Sequence, residues 1–158
     1  MKPRVYLETT IPSYLAARSS RDVVIAGHQQ TTRLWWESRR HEFELFASQF
    51  VIDEASLGDS DAAARRLTLL ADVSLLEPGN QVYGLADQLV RRVPLPAKAA
   101  ADSLHIAIAT VNGMDYLLTW NCTHIANAEL RARIETICRD AGFEPPVICT
   151  PEELLREE

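Results

Sequence analysis

The sequence predicts an α/β protein in which helices cover both faces of a central, mostly parallel sheet of four to five strands. Short apolar runs alternate with helical stretches along the chain, which is the order that parallel sheets with crossover helices produce. The apolar runs are nearly continuous, as expected of strands that are buried on both faces. The length of 158 residues and the apolar fraction of 47% fit one globular domain at residues 1–158.

The elements predicted for the first half of the chain are, in order, a strand at Arg4–Glu8, a helix from Val23 to about Arg40, a strand at Phe43–Ser48, a short helix from Gln49 to Gly58, a helix at Asp59–Asp72 and a strand at Val73–Pro78. Ser20 or Asp22 could cap the first of these helices, and Asp59 or Ser60 could cap the third. Each break between elements is rich in polar residues, Gly or Pro.

The elements predicted for the second half are a helix at Asn80–Val93, a nearly apolar helix that starts between Pro96 and Ala99 and ends at Val111, a strand at Tyr116–Trp120, a helix at Asn127–Gly142, a strand at Val147–Thr150 and a short helix at Pro151–Glu158. Asn112 and Gly113 form a C-cap signal for the apolar helix. Asn127 is placed to cap the helix that follows it.

Composition and charge narrow the possible functions. No apolar run is long enough to cross a bilayer, and the start of the chain lacks a secretion signal, so a cytoplasmic protein is expected. The three cysteines have irregular spacing, which favours reduced thiols over a disulfide frame or a zinc site. The net charge of −6 argues against general electrostatic binding of nucleic acid, although an enzyme that acts on RNA needs only a local basic strip.

Acidic and amide side chains occur where strands end or helices begin. Glu8 ends the first strand, Glu54 lies in the short helix after the second strand, Asp102 opens the apolar helix and Asn121 follows the fourth strand. Because ligands of parallel sheets bind outside the carboxyl ends of the strands, we expect these side chains to converge. Asp53 neighbours Glu54, and either of the two could face inward.

Such a cluster predicts a divalent metal ion. Carboxylates that are brought together repel one another, and a hard cation with oxygen ligands removes that penalty. Mg²⁺ or Mn²⁺ fits better than zinc, because no Cys/His set has ligand spacing. The ion could polarise a phosphoryl oxygen and lower the pKa of a bound water, which is the chemistry of phosphodiester hydrolysis. His105 follows Asp102 by three residues and could be a core histidine or a partner of the site.

Four blocks of sequence carry a family resemblance: "VYLETTIPSYL", "FVIDEASLGD", "AADSLHIAIATVNGMDYLLTWN" and "CTHIANAEL". In this order they resemble a PIN domain, and among PIN domains a VapC-like toxin ribonuclease, over about Arg4 to Thr150. The resemblance implies a three-layer α/β/α PIN-like fold and a Mg²⁺- or Mn²⁺-dependent endoribonuclease. It also implies the toxin of a type II toxin–antitoxin pair, with RNA as substrate, a small antitoxin protein as partner and a homodimer.

By this resemblance the catalytic residues would be Glu8, Glu54, Asp102 and Asn121, of which the three acids would bind the metal. Thr9, Thr10 and His105 would bind metal water, phosphate or substrate. Two positions depart from the family pattern, which commonly has Asp where Glu8 and Asn121 stand. The site therefore holds three formal negative charges in place of four, and one metal ion is expected rather than two.

Other interpretations stay open at this point. A PIN-like domain with weak or no nuclease activity could serve as a binding or scaffold module, and Glu8 and Asn121 favour that alternative. A metal-dependent phosphatase for small phosphate esters is a third possibility. Trp35 and Trp36 could grip RNA, but packing of one Trp in the core is favoured.

Overall fold

The computed structural model describes residues 1–94, 96 and 99–156 of the chain. Its strands are β1 (Arg4–Leu7), β2 (Glu44–Ser48), β3 (Ser74–Leu76), β4 (Tyr116–Leu118) and β5 (Val147–Cys149). Its α-helices are α1 (Thr10–Ala16), α2 (Val23–Arg39), α3 (Gln49–Ala55), α4 (Ser60–Leu70), α5 (Asn80–Arg92), α6 (Ala100–Val111) and α7 (Ala128–Asp140). Short 3₁₀ turns cover Arg40–Glu42 and Pro151–Leu154. None of the helices within these described ranges combines the length and the apolar character needed to span a bilayer.

The strands form one parallel sheet in the order β3-β2-β1-β4-β5, which confirms the predicted sheet. After β1 the chain adds β2 and then β3 on one side of β1. It then crosses over and adds β4 on the other side of β1. The order of the strands therefore reverses between β1 and β4, where Leu7 pairs with Leu118. Ligands of open parallel sheets bind outside the carboxyl ends of the strands at such a switch point. The fold thus places the expected binding cleft directly after Leu7 and Leu118.

Helices cover both faces of the sheet, as predicted for a three-layer arrangement. Successive strand residues point to opposite faces, so the side chains of β1 divide between two cores. Val5 and Leu7 pack with Ile11 of α1 and Trp35 of α2. Tyr6 faces the other core, which is built on α3 and the helices α5 to α7. Trp35 is fully buried, which confirms that one Trp of the pair belongs to the core.

Several predicted element boundaries are wrong. Helix α1 was not expected, because Thr9, Thr10 and Ile11 are β-branched and Pro12 interrupts the pattern. Pro12 lies in the first turn of α1, where its missing N–H costs no helical hydrogen bond. The segment after β5 is a 3₁₀ turn that ends at Leu154 rather than a helix to Glu158. The predicted start of the apolar helix includes residues 97–98, and the last helix includes residues 157–158; these positions lie outside the described residues.

The predicted helix caps are confirmed. Asp22 and Asp59 each accept a hydrogen bond from the backbone N–H three residues later, at 3.0 and 2.9 Å. Asn127 accepts from the N–H two residues later, at 2.9 Å. Gly113 follows α6 with φ of 69°, the left-handed conformation that a glycine C-cap supplies. Local polar and glycine signals therefore fix the ends of four helices.

Candidate active site

Glu8 lies directly after β1 with only 4% of its surface exposed. Its Oε1 accepts three hydrogen bonds, from the Thr10 N–H at 3.1 Å, the Thr10 hydroxyl at 2.6 Å and the Thr119 hydroxyl at 2.7 Å. Its Oε2 has no hydrogen bond from the described part of the chain. Burial of a carboxylate is costly unless a positive charge or further donors compensate. One oxygen is thus used to hold the side chain, and the other is available to a cation.

The two threonines join Glu8 to the chain that leaves β4. Glu8 donates its own N–H to the Leu118 carbonyl at 3.1 Å, which places it next to the end of that strand. Thr10 Oγ1 accepts from the Trp120 N–H, and Thr119 Oγ1 accepts from the Asn121 N–H, both at 2.9 Å. Each hydroxyl therefore donates to Glu8 and accepts from the segment after β4. This arrangement fixes the switch point as one hydrogen-bonded unit.

Glu54 reaches the same cleft from α3. Its Oε1 accepts from the Thr9 hydroxyl at 2.6 Å and from His105 Nε2 at 2.5 Å. Burial raises the pKa of the Glu54 carboxyl, but the hydrogen bonds from His105 and Thr9 and any positive charge on the imidazole outweigh it, so the pKa lies below its ordinary value. Asp53 instead accepts from Gln49 on the exposed side of α3. Of the two neighbouring acids, Glu54 is therefore the one that faces the site.

His105 is fully buried behind Glu54. Its Nδ1 lies 2.6 Å from the Tyr6 hydroxyl, which in turn lies 2.8 Å from the Ser48 hydroxyl. Burial raises the pKa of Tyr6 well above its usual range, so the phenol keeps its proton. Both imidazole nitrogens have partners, and the ring offers no surface to a substrate. His105 therefore takes part in the site through its contact with Glu54 and not through contact with a substrate.

The side chains of Glu8, Glu54 and His105 each bring a ligand atom to within 4.8 Å of the others. In the described residues neither carboxylate forms an ion pair with Lys or Arg. The Oε1 atoms hold protein hydrogen bonds and the Oε2 atoms are left for a cation. Because both nitrogens of His105 are already hydrogen bonded, the available donors are oxygens. This donor set fits the predicted Mg²⁺ or Mn²⁺.

Asp102 and Asn121 form a neighbouring network. Asp102 Oδ1 accepts from the Asn121 amide at 3.1 Å, and Oδ2 lies 2.9 Å from His124 Nδ1. The Asn121 amide oxygen accepts from the His124 backbone N–H at 3.0 Å. Asp102 is not part of the three-residue group at ligand spacing. The structure therefore brings together two of the three predicted metal ligands, Glu8 and Glu54. The third, Asp102, is hydrogen bonded to Asn121 and lies beside His124.

Four residues of these networks were not predicted: Tyr6, Ser48, Thr119 and His124. Strand alternation places Tyr6 on the face opposite Val5, and this signal could have indicated its contact with the helix that carries His105. The contacts of Ser48, Thr119 and His124 depend on how separate segments pack, and no local spacing marks them. Thr9 and Thr10, predicted to bind substrate or metal water, use their hydroxyls to hold Glu54 and Glu8.

The fold and the site together define an α/β protein with a buried and a half-buried glutamate at the switch point of a parallel sheet. No family model and no curated protein matches the sequence. The function is therefore argued from the geometry of the cleft and from the sequence resemblance.

Proposed function

We infer that the protein is a metal-dependent endoribonuclease and that it is the toxin of a type II toxin–antitoxin pair. One observation carries this conclusion. The buried carboxylate of Glu8 lies beside that of Glu54 at the switch point, and each has an oxygen without a protein hydrogen bond among the described residues. A cation between them would compensate for the repulsion and the burial of the two charges.

The residues of the cleft can support hydrolysis of a phosphodiester. Glu8 and Glu54 would hold Mg²⁺ or Mn²⁺, while Thr9, Thr10 and Thr119 keep the carboxylates in place. When bound, the ion supplies a Lewis acid for the phosphate and lowers the pKa of water. In the reaction the oxygen of water bonds to phosphorus, the ester P–O bond breaks, and a proton passes to the leaving oxygen.

RNA as substrate, the antitoxin partner and the homodimer are carried by the sequence resemblance. The cytoplasmic location is expected from the apolar pattern of the sequence, and all four stay predictions. Asp102 as a third metal ligand is also a prediction. It would require the carboxylate to exchange its contact with Asn121 or His124 for the ion. Sedimentation of the purified protein tests for the homodimer. Sequencing of RNA ends after expression of the protein tests for RNA as the substrate.

The first prediction compares two neighbouring acids of α3. We expect Mn²⁺ to raise the melting temperature of the wild type, because a ligand that binds the folded state stabilises it by about 2.7 kcal/mol at one hundred times its Kd. Glu54→Gln should lose most of this stabilisation together with RNA cleavage. Asp53→Asn, the matched control, should keep both, because Asp53 faces solvent. Differential scanning fluorimetry and a labelled single-stranded RNA are the measurements.

Equal Mn²⁺ stabilisation of the wild type and Glu54→Gln would contradict the proposed site. Binding of Mn²⁺ without RNA cleavage would instead favour a binding or scaffold module. The observation that favours this second candidate is the Asp102–Asn121 contact, which leaves two rather than four oxygen-bearing side chains free for metal. Faster hydrolysis of a chromogenic phosphate ester than of RNA would indicate a small-molecule phosphatase.

A further inference from the structure

We propose that Ser48 and Tyr6 are positioning residues that fix His105 as a hydrogen-bond donor to Glu54 and thereby keep its nitrogens away from the metal. The consequence for metal choice depends on the proposed function: the cleft would select oxygen-preferring ions even though a histidine lies at ligand distance. The hydrogen-bond chain itself does not depend on any activity. It connects the end of β2, the middle of β1 and α6 within the core.

The chain begins with the hydroxyl of Ser48, which is fully buried. Its oxygen accepts from the Val51 N–H at 3.4 Å, where Ser48 is the N-cap of α3. Its own proton then needs an acceptor, because a buried donor without a partner costs about 1–3 kcal/mol. Among the described residues the partner within reach is the Tyr6 oxygen at 2.8 Å. Ser48 therefore donates to Tyr6.

The next step follows from the first. With its oxygen accepting from Ser48, Tyr6 has its own proton to donate, and His105 Nδ1 lies 2.6 Å away. Nδ1 must accept this proton, so the neutral imidazole carries its single proton on Nε2. Nε2 then donates to the Glu54 carboxylate at 2.5 Å. Every donor along the chain has one acceptor, and the direction runs from Ser48 to Glu54.

This direction determines which atoms a metal ion can bind. Nδ1 uses its lone pair for Tyr6 and Nε2 carries a proton, so neither nitrogen can be a ligand. The Glu54 carboxylate also holds the proton on Nε2, so removal of the Tyr6 hydroxyl lets Nδ1 take the proton only when a cation draws on the Nε2 lone pair. The three side chains within 4.8 Å would then form a Glu₂His set, which suits Zn²⁺.

The experiment compares Tyr6→Phe with Tyr116→Phe. Tyr116 lies in β4 of the same sheet, and its hydroxyl has no hydrogen bond to the residues that the structure describes, so it controls for the loss of a phenol oxygen. ¹⁵N NMR of the imidazoles in the metal-free protein reports the tautomer, with His105→Gln used to assign the signal. Without metal we expect Nε2–H in all three proteins, because the Glu54 carboxylate also accepts this proton. When the same spectra are recorded with saturating Zn²⁺, we expect Nδ1–H in Tyr6→Phe alone.

Metal titrations provide the second measurement. Removing a residue that orients a ligand typically changes metal affinity 10- to 100-fold, so the ratio of Zn²⁺ to Mn²⁺ affinity should rise at least about tenfold in Tyr6→Phe. It should not change in Tyr116→Phe. A wild-type imidazole with its proton on Nδ1, or a Tyr6→Phe variant that keeps Nε2–H with Zn²⁺ and the wild-type affinity ratio, would overturn the proposal.

A second pair of variants covers the case in which Tyr6→Phe does not fold. Ser48→Ala and Asp59→Ala each remove the N-cap of a helix, from α3 and α4. Both should lose similar stability, but an Nδ1–H population with Zn²⁺ is expected in Ser48→Ala alone, because Tyr6 then loses the hydrogen bond that directs its proton to His105. A wild type that binds no metal would sink the proposed function and the metal selectivity, whereas the NMR result would still decide whether the positioning chain exists.

Discussion

Glu8 shows how one side chain can be unfavourable for folding and still be built into the core. Its carboxylate is almost fully buried and receives three hydrogen bonds on a single oxygen. Charge-assisted hydrogen bonds of this kind contribute about 1.5–3 kcal/mol each, which offsets part of the cost of burial. The second carboxylate oxygen receives no hydrogen bond from the described residues, so hydrogen bonding does not account for its burial. A bound cation would account for it.

Replacement of Asn121 by Asp should make the stability of the folded state depend on bound metal. The Asn121 amide donates to Asp102 at 3.1 Å, and a carboxylate in its place would face another carboxylate. We expect Asn121→Asp to lower the stability of the metal-free protein by about 1–3 kcal/mol, because a half-buried hydrogen bond becomes a repulsion. Mn²⁺ should restore most of the loss in urea unfolding experiments.

Asn127→Asp is the matched control for this change. Asn127 caps α7, and Asp caps helices about as well as Asn, so stability should change by less than about 0.5 kcal/mol with or without Mn²⁺. If both variants behaved alike, the Asp102–Asn121 contact would have no special energetic role.

The lowered pKa of Glu54 predicts a contribution to stability that depends on pH. The ionised carboxylate is favoured in the folded state, so its contribution is present above the unfolded-state pKa of about 4.3 and is lost as the pH falls through the lower folded-state pKa. The free energy of unfolding of wild type minus that of Glu54→Gln should therefore decrease between about pH 6 and pH 3. Denaturant titrations over this range measure it, and an increase toward low pH would contradict the assigned contacts.

At the scale of single elements, helix α1 shows where tertiary contacts override local preference. Two threonines and an isoleucine favour extended backbone, yet Thr10–Ala16 is helical. Ile11 is fully buried in the core beside Trp35, and the Thr10 hydroxyl is tied to Glu8. Burial of a side chain such as Ile11 contributes about 1.5–3 kcal/mol, which exceeds the propensity differences of about 0.7 kcal/mol per residue.

The end of α6 gives an element-scale prediction. Gly113 has φ of 69°, so Gly113→Ala should destabilise the protein by about 1–2 kcal/mol through strain in the left-handed conformation. Gly84 lies inside α5 with open space around its Cβ position, and Gly84→Ala should stabilise by about 0.5–1 kcal/mol. Thermal and chemical denaturation measure both changes. Equal effects of the two substitutions would show that α6 does not end in a left-handed glycine.

At the scale of the whole molecule, the cysteines report global unfolding. Cys122 is exposed, whereas Cys138 and Cys149 are buried on opposite faces of the sheet. Burial raises the pKa of the Cys149 thiol to about 12, so almost no reactive thiolate exists at neutral pH. Iodoacetamide should label Cys122 before the other two, which react only at the rate of unfolding, as peptide mass spectrometry would show. Rapid labelling of Cys149 in the native protein would contradict the described packing of β5.

The sequence was sufficient for the architecture and for part of the site. Alternating apolar strands and helices predict a parallel sheet, and Glu8 could be placed at its edge because it directly follows a strand. The choice of Glu54 over Asp53 came from the resemblance alone, because both lie on a short helix and only packing decides which one faces inward. His124 could not be assigned to Asp102, since the two lie in separate segments that meet through the docking of α6.

What the sequence by itself determined is therefore local in origin: the order of the strands and of the helices other than α1, the helix caps, and the acidic residues at strand and helix ends. These follow from periodicity, capping and turn preferences, which act over a few residues. Only the tertiary structure decided which acids share the cleft, that Asn121 holds Asp102, and that Ser48, Tyr6 and His105 align behind Glu54. Those relations join side chains 19 to 99 residues apart along the chain, and hydrogen bonds between such residues are set by the packing of the sheet and its helices.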